Sequence, residues 1–178
     1  MVEAIPIAAT ARMAVLTIDY RLGPEHVFPA ASEDAVAVYR ELLDQYRPAD
    51  MGIYGCDAGG TLTAMTIAML DRVKLPMPGA IGIFCAAATI ERGGDSQTLA
   101  PIAMGQVPGA PPNPLTTSGG ALKMIDEKTG QPPRAYLSTA QASDPLAAPE
   151  HFPELLAKFP PTLPVSYTHL TLPTILLV

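Results

Sequence analysis

Residues 54–60 read YGCDAGG, and this short stretch decides how the rest of the chain is interpreted. With serine at its centre it would be the G-x-S-x-G turn that joins a buried strand to a helix and exposes a nucleophile. The centre here is Asp57, and glycines stand at 55, 59 and 60. Small residues allow a tight reversal of the chain, and the helix start brings backbone N–H groups near the central side chain. The pattern therefore predicts a nucleophile elbow with an aspartate at its apex.

Short apolar runs on both sides of this turn indicate buried strands. They are residues 14–22 (AVLTIDYRL), 51–56 (MGIYGC) and 79–85 (GAIGIFC). Their hydrophobicity is continuous rather than alternating, which is typical of strands covered on both faces. We therefore expect an α/β fold in which helices cover both faces of a parallel sheet. In such sheets, function gathers at the carboxyl ends of the strands, where Asp57 lies.

Two segments between these strands have helical patterns. Residues 30–46 carry apolar side chains at helical spacing, with Ser32 placed to cap the first turn. Residues 61–73 form a second, largely apolar helix. We expect its Met65, Met69 and Leu70 to face a core.

Composition narrows the functional class. The 178 residues, 48% of them hydrophobic, suffice for one domain with a core. A net charge of -6 with eleven scattered Lys and Arg argues against a nucleic-acid partner. We see no apolar run long enough to span a bilayer and no signal-peptide pattern, so we expect a cytoplasmic protein. Cys56 and Cys85 are too few for a disulfide framework and stand at the ends of apolar runs, where buried thiols are common.

Three stretches resemble one known family. They are DYRLGPEHVFPAASEDAVAVYRELL (19–43), IYGCDAGGTLTA (53–64) and LPMPGAIGIF (75–84). Together they resemble the hormone-sensitive-lipase-like branch of the α/β-hydrolases, the α/β-hydrolase fold-3 family, closely over 14–84 and loosely up to Pro164. The resemblance implies a carboxylic ester hydrolase with a Ser, Asp and His triad, acting on a small acyl ester without a cofactor or metal.

Only some of the family's functional residues can be matched to positions in this chain. The nucleophile position falls on Asp57, and the backbone N–H of Ala58 matches one oxyanion-hole donor. The resemblance implies further donors from an HGGG-type loop upstream, and a triad acid and histidine downstream. None of these three is identified in the chain, which we therefore expect to be inactive. Asp144 lies on a DPL segment that the family places before the strand of the catalytic acid, so it is not assigned to the triad.

None of the three histidines matches the catalytic one. His26 belongs to the PEH turn that supports the elbow in the family, and His151 precedes a short helical stretch as a surface or capping residue. His169 lies in residues 165–178, which do not continue the family pattern; an artefactual origin of that tail is one interpretation. We expect residues 1–164 to be the central part of a longer hydrolase domain. Within it, the Pro- and Gly-rich residues 88–133 would form an irregular wall or cover of the acyl pocket.

Three alternatives remain open. Asp57 could itself attack, as in haloalkane dehalogenases and epoxide hydrolases, although the following Ala-Gly-Gly is the esterase pattern. The chain could instead be a non-catalytic binding or scaffold domain with a decayed elbow. Cys56 could be a reactive thiol at a helix start, but its position before the apex favours a buried structural thiol.

Overall fold

The computed structural model of the chain describes residues 4–89 and 136–165. In chain order the helices and strands are α1 (Ala4–Ala11), α2 (Ala30–Leu42), β1 (Gly52–Cys56), α3 (Ala58–Arg72), β2 (Ala80–Phe84), α4 (Pro153–Leu156) and β3 (Thr162–Val165). Most of the predicted pocket wall, the tail after residue 165 and His169 lie outside the described residues.

The three strands form one parallel sheet in the order β1-β2-β3. Cys56 pairs with Phe84 across β1 and β2, and Phe84 pairs with Val165 across β2 and β3, so the carboxyl ends of all three strands are level. Parallel neighbours need long crossover connections, and α3 supplies the one between β1 and β2. The predicted strands at 51–56 and 79–85 and the α/β class are confirmed.

Helix α3 contributes a large part of the hydrophobic core. All residues from Thr63 to Leu70 are buried, and Met65, Met69 and Leu70 are 2%, 5% and 0% exposed. The helix packs on β1 and β2 on one side and against α2 on another. Each such large apolar side chain contributes about 1.5–3 kcal/mol by leaving water. The predicted apolar helix and its core-facing residues are therefore confirmed.

The predicted strand at residues 14–22 is wrong. This segment forms no ladder with any described strand, and Leu16 and Leu22 are 61% and 60% exposed. A strand exists only when its backbone pairs with a neighbour, and an apolar run cannot supply that neighbour by itself. The end of the segment is instead tied to α2: the Arg21 backbone N–H donates to the Asp34 carboxylate at 2.9 Å, and its guanidinium Nε donates there at 2.8 Å.

The predicted capping role of Ser32 is also wrong. Helix α2 begins at Ala30 after Pro29, so Ser32 lies inside the first turn, where it is 1% exposed. Because proline offers no side-chain acceptor, the N–H groups at the buried start of α2 need one from elsewhere. Tyr136 provides it, since its hydroxyl accepts the Ala31 N–H at 2.9 Å.

Candidate nucleophile elbow

Asp57 is the single residue between β1 and α3. Its backbone angles are φ 53° and ψ -119°, a conformation that residues with a side chain rarely adopt and that costs on the order of 1–3 kcal/mol. Hydrogen bonds on both sides hold it. The Asp57 N–H donates to the Phe84 carbonyl at 2.9 Å, while its own carbonyl accepts the N–H groups of Gly60 and Thr61 at 3.0 and 3.2 Å.

The side chain of Asp57 is exposed at the carboxyl edge of the sheet. Because φ is positive, the Cα–Cβ bond of Asp57 does not follow the alternating side-chain directions of β1, and the carboxylate lies beyond the last residue of the strand. The strand-to-helix turn predicted from the sequence is therefore present, and Asp57 is its apex.

Two of the three glycines are required by close approach. A Cβ on Gly55 would overlap the Gly59 carbonyl, and a Cβ on Gly60 would lie 2.6 Å from the Cβ of Ala86 and 3.0 Å from the Phe84 carbonyl oxygen. A Cβ on Gly59 would meet nothing within 4 Å. Strand β1, helix α3 and the residues after β2 are thus packed backbone to backbone at the turn, and Gly59 is open to side chains.

The Ala58 N–H is the donor that the resemblance assigns to the oxyanion hole. It lies in the first turn of α3, where no carbonyl of the same helix can accept it, and the described residues provide no other acceptor. Fifteen aligned peptide units place the positive end of the helix dipole at this point. The geometry can therefore stabilise negative charge on an oxygen beside the apex.

The two cysteines lie on neighbouring strands but in different settings. Cys56 is half-buried on β1 beside Phe84, and Cys85 is exposed, with φ 53°, directly after β2. The expectation that both thiols are buried is wrong for Cys85. Strand β2 ends at Phe84, and with φ 53° Cys85 no longer follows the side-chain alternation of the strand.

The histidines and Asp144 have local contacts. His26 is exposed in its own turn, where its backbone N–H donates to the Leu22 carbonyl at 3.0 Å. His151 is exposed, with its ring 3.4 Å from the Ala142 carbonyl oxygen and 3.7 Å from the Glu150 carboxylate. The Asp144 carboxylate accepts the Leu146 N–H at 2.9 Å and so fixes a turn.

Charged side chains at the start of α2 form an ion pair. The Arg21 guanidinium, hydrogen-bonded to Asp34, lowers the pKa of that carboxyl below its ordinary value. Burial raises the pKa of the Tyr136 phenol, which keeps it neutral as the acceptor at the start of α2.

Within residues 4–89 and 136–165, no three His, Cys, Asp or Glu side chains are grouped to hold a metal ion. No helix in the same two ranges is long and apolar enough to cross a membrane.

Comparison with known proteins places this geometry in a family. A family model described as "alpha/beta hydrolase fold" matches residues 4–172. The chain belongs to the α/β-hydrolase fold family. Among its relatives of known structure are an esterase/lipase from an uncultured bacterium, at 33% identity and a TM-score of 0.65, and an esterase from the bacterial hormone-sensitive lipase family, at 31% and 0.65. The resemblance drawn from the sequence is confirmed.

Curated relatives of this α/β-hydrolase are similar over shorter stretches. An acetyl-hydrolase from Streptomyces hygroscopicus is 44% identical over 68 residues, which are 38% of this chain and 23% of that protein. A putative acetyl-hydrolase, LipR, from Mycobacterium tuberculosis is 39% identical over 89 residues, 49% of this chain and 29% of that protein. The two structural relatives are each covered over 47% of their length, by 89% of this chain. This α/β-hydrolase chain thus spans about half the length of those structures.

Proposed function

We propose that this chain derives from a carboxylic ester hydrolase and that, with aspartate at the elbow, it does not turn over esters. The observation that carries the proposal is the Asp57 apex: an exposed carboxylate lies in a strained backbone conformation beside the N–H of Ala58, for which residues 4–89 and 136–165 provide no acceptor. This is the place where the family resemblance implies a serine. The esterases and acetyl-hydrolases among the relatives support the choice of substrate class.

The different chemistry of serine and aspartate at position 57 explains why we expect no ester hydrolysis. A serine oxygen attacks the acyl carbon of the substrate and displaces its alcohol, which gives an acyl-serine ester that water then hydrolyses. A carboxylate that attacked the same carbon and displaced the alcohol would give a mixed anhydride, which is a higher-energy intermediate and offers little gain over direct hydrolysis. The Asp57 side chain also places oxygen acceptors beside the point where the transition state develops negative charge. The Ala58 N–H would then be shared between an Asp57 oxygen and the reacting oxygen instead of serving the reacting one alone.

An aspartate nucleophile is the second candidate, because the exposed Asp57 carboxylate needs no base to attack an alkyl carbon. Its product would be an alkyl ester of Asp57, formed with loss of halide or opening of an epoxide. The resemblance of the residues after the apex, Ala-Gly-Gly, to esterases favours the first candidate.

The first test measures release of p-nitrophenol from p-nitrophenyl acetate and butyrate by the purified chain. We expect the rate to equal that of Asp57→Ala, with both at the level of a heat-inactivated sample. Turnover that Asp57→Ala abolishes would contradict the proposal. The same two proteins, incubated with a 1-haloalkane or a styrene oxide, separate the second candidate, since only an aspartate nucleophile would yield an Asp57-linked alkyl adduct by mass spectrometry.

The second test restores the hydroxyl. Asp57→Ser is treated with a fluorophosphonate probe beside a matched control, Asp44→Ser, which places a serine on an exposed turn after α2. We expect slow labelling that is faster at position 57 than in the control, because the elbow offers the Ala58 N–H to the reacting oxygen, while no histidine of the chain is assigned as a base for the serine. Equal labelling of the two variants would contradict the assignment of position 57 as the nucleophile position.

A further inference from the structure

We draw no further inference here: the strongest candidate, the exposed Cys85 thiol just past the carboxyl end of β2, is a single cysteine at the edge of the site already described, and nothing else among residues 4–89 and 136–165 points to a ligand for it.

Discussion

The packing at the elbow predicts opposite outcomes for two neighbouring glycines in the first turn of α3. In Gly60→Ala the new Cβ would lie 2.6 Å from the Cβ of Ala86. Non-bonded carbons prefer about 3.5–4.0 Å, so α3 and the residues after β2 must separate by roughly 1 Å. In Gly59→Ala the new Cβ meets nothing within 4 Å. Both variants replace a glycine of the same helical turn by alanine, and they differ only in whether the new Cβ meets a neighbouring atom.

The magnitudes follow from that difference. Overpacking of this kind costs about 1–3 kcal/mol. Replacing glycine by alanine in a helix gains about 0.5–1 kcal/mol, and both variants share this gain. We expect Gly60→Ala to lower the free energy of unfolding by about 1–2 kcal/mol. Gly59→Ala should leave it unchanged or raise it by a few tenths of a kcal/mol, since the first helical turn realises only part of the propensity term.

Urea titration followed by far-UV circular dichroism measures these free energies, because the chain has no tryptophan but has a large helical signal from α2 and α3. A thermal scan should show Tm about 2–4 °C lower for each kcal/mol lost. The double variant Gly60→Ala with Ala86→Gly removes the nearest atom and leaves the Phe84 carbonyl oxygen at 3.0 Å, so part of the stability should return. Equal stability of the Gly59 and Gly60 variants would refute the packing argument.

Three further predictions concern the start of α2 and the two cysteines. Tyr136→Phe removes the hydroxyl that accepts the Ala31 N–H at 2.9 Å, so urea titration should show a free energy of unfolding lower by about 1–2 kcal/mol. An unchanged free energy would show that water replaces the hydroxyl. The Asp34 pKa is lowered by Arg21, so its contribution to stability is present above the unfolded-state pKa and falls as the pH drops through the lower folded-state value. Asp34→Asn should therefore flatten the acid side of a Tm-against-pH profile, and an unchanged profile would refute this coupling. Cys85 should react with 5,5′-dithiobis(2-nitrobenzoate) at least several-fold faster than the half-buried Cys56, measured on the two single Cys→Ser variants; equal rates would contradict their different exposure.

Local patterns were sufficient to predict the elements that meet at the elbow. The glycines at 55 and 60 indicate a turn, because segments pack closely there. The structure shows this close approach for Gly55 against Gly59 and for Gly60 against Phe84 and Ala86. The apolar residues of α3 predicted its burial because one helix pressed between a sheet and a second helix has few exposed positions. The Asp57 apex was predicted for the same reason: strand, turn and helix are contiguous in the chain.

Features that need a distant partner were not predictable in this way. The apolar run at 14–22 has the composition of a strand, yet its backbone finds no neighbouring strand among the described residues. The acceptor at the start of α2 comes from Tyr136, 105 residues beyond the N–H that it accepts, whereas the sequence pointed to the adjacent Ser32. Both errors arise because a backbone group is satisfied by whatever the fold brings to it.

The α/β class, the elbow and the carboxylate at its apex could be predicted from the sequence, because they depend on residues that are adjacent in the chain and on strong local preferences. Packing between distant segments makes Gly60 constrained and leaves Gly59 open, exposes Cys85 while Cys56 is half-buried, and brings the Tyr136 hydroxyl to the start of α2. Those properties depend on distances between segments far apart in the chain, which no local pattern encodes.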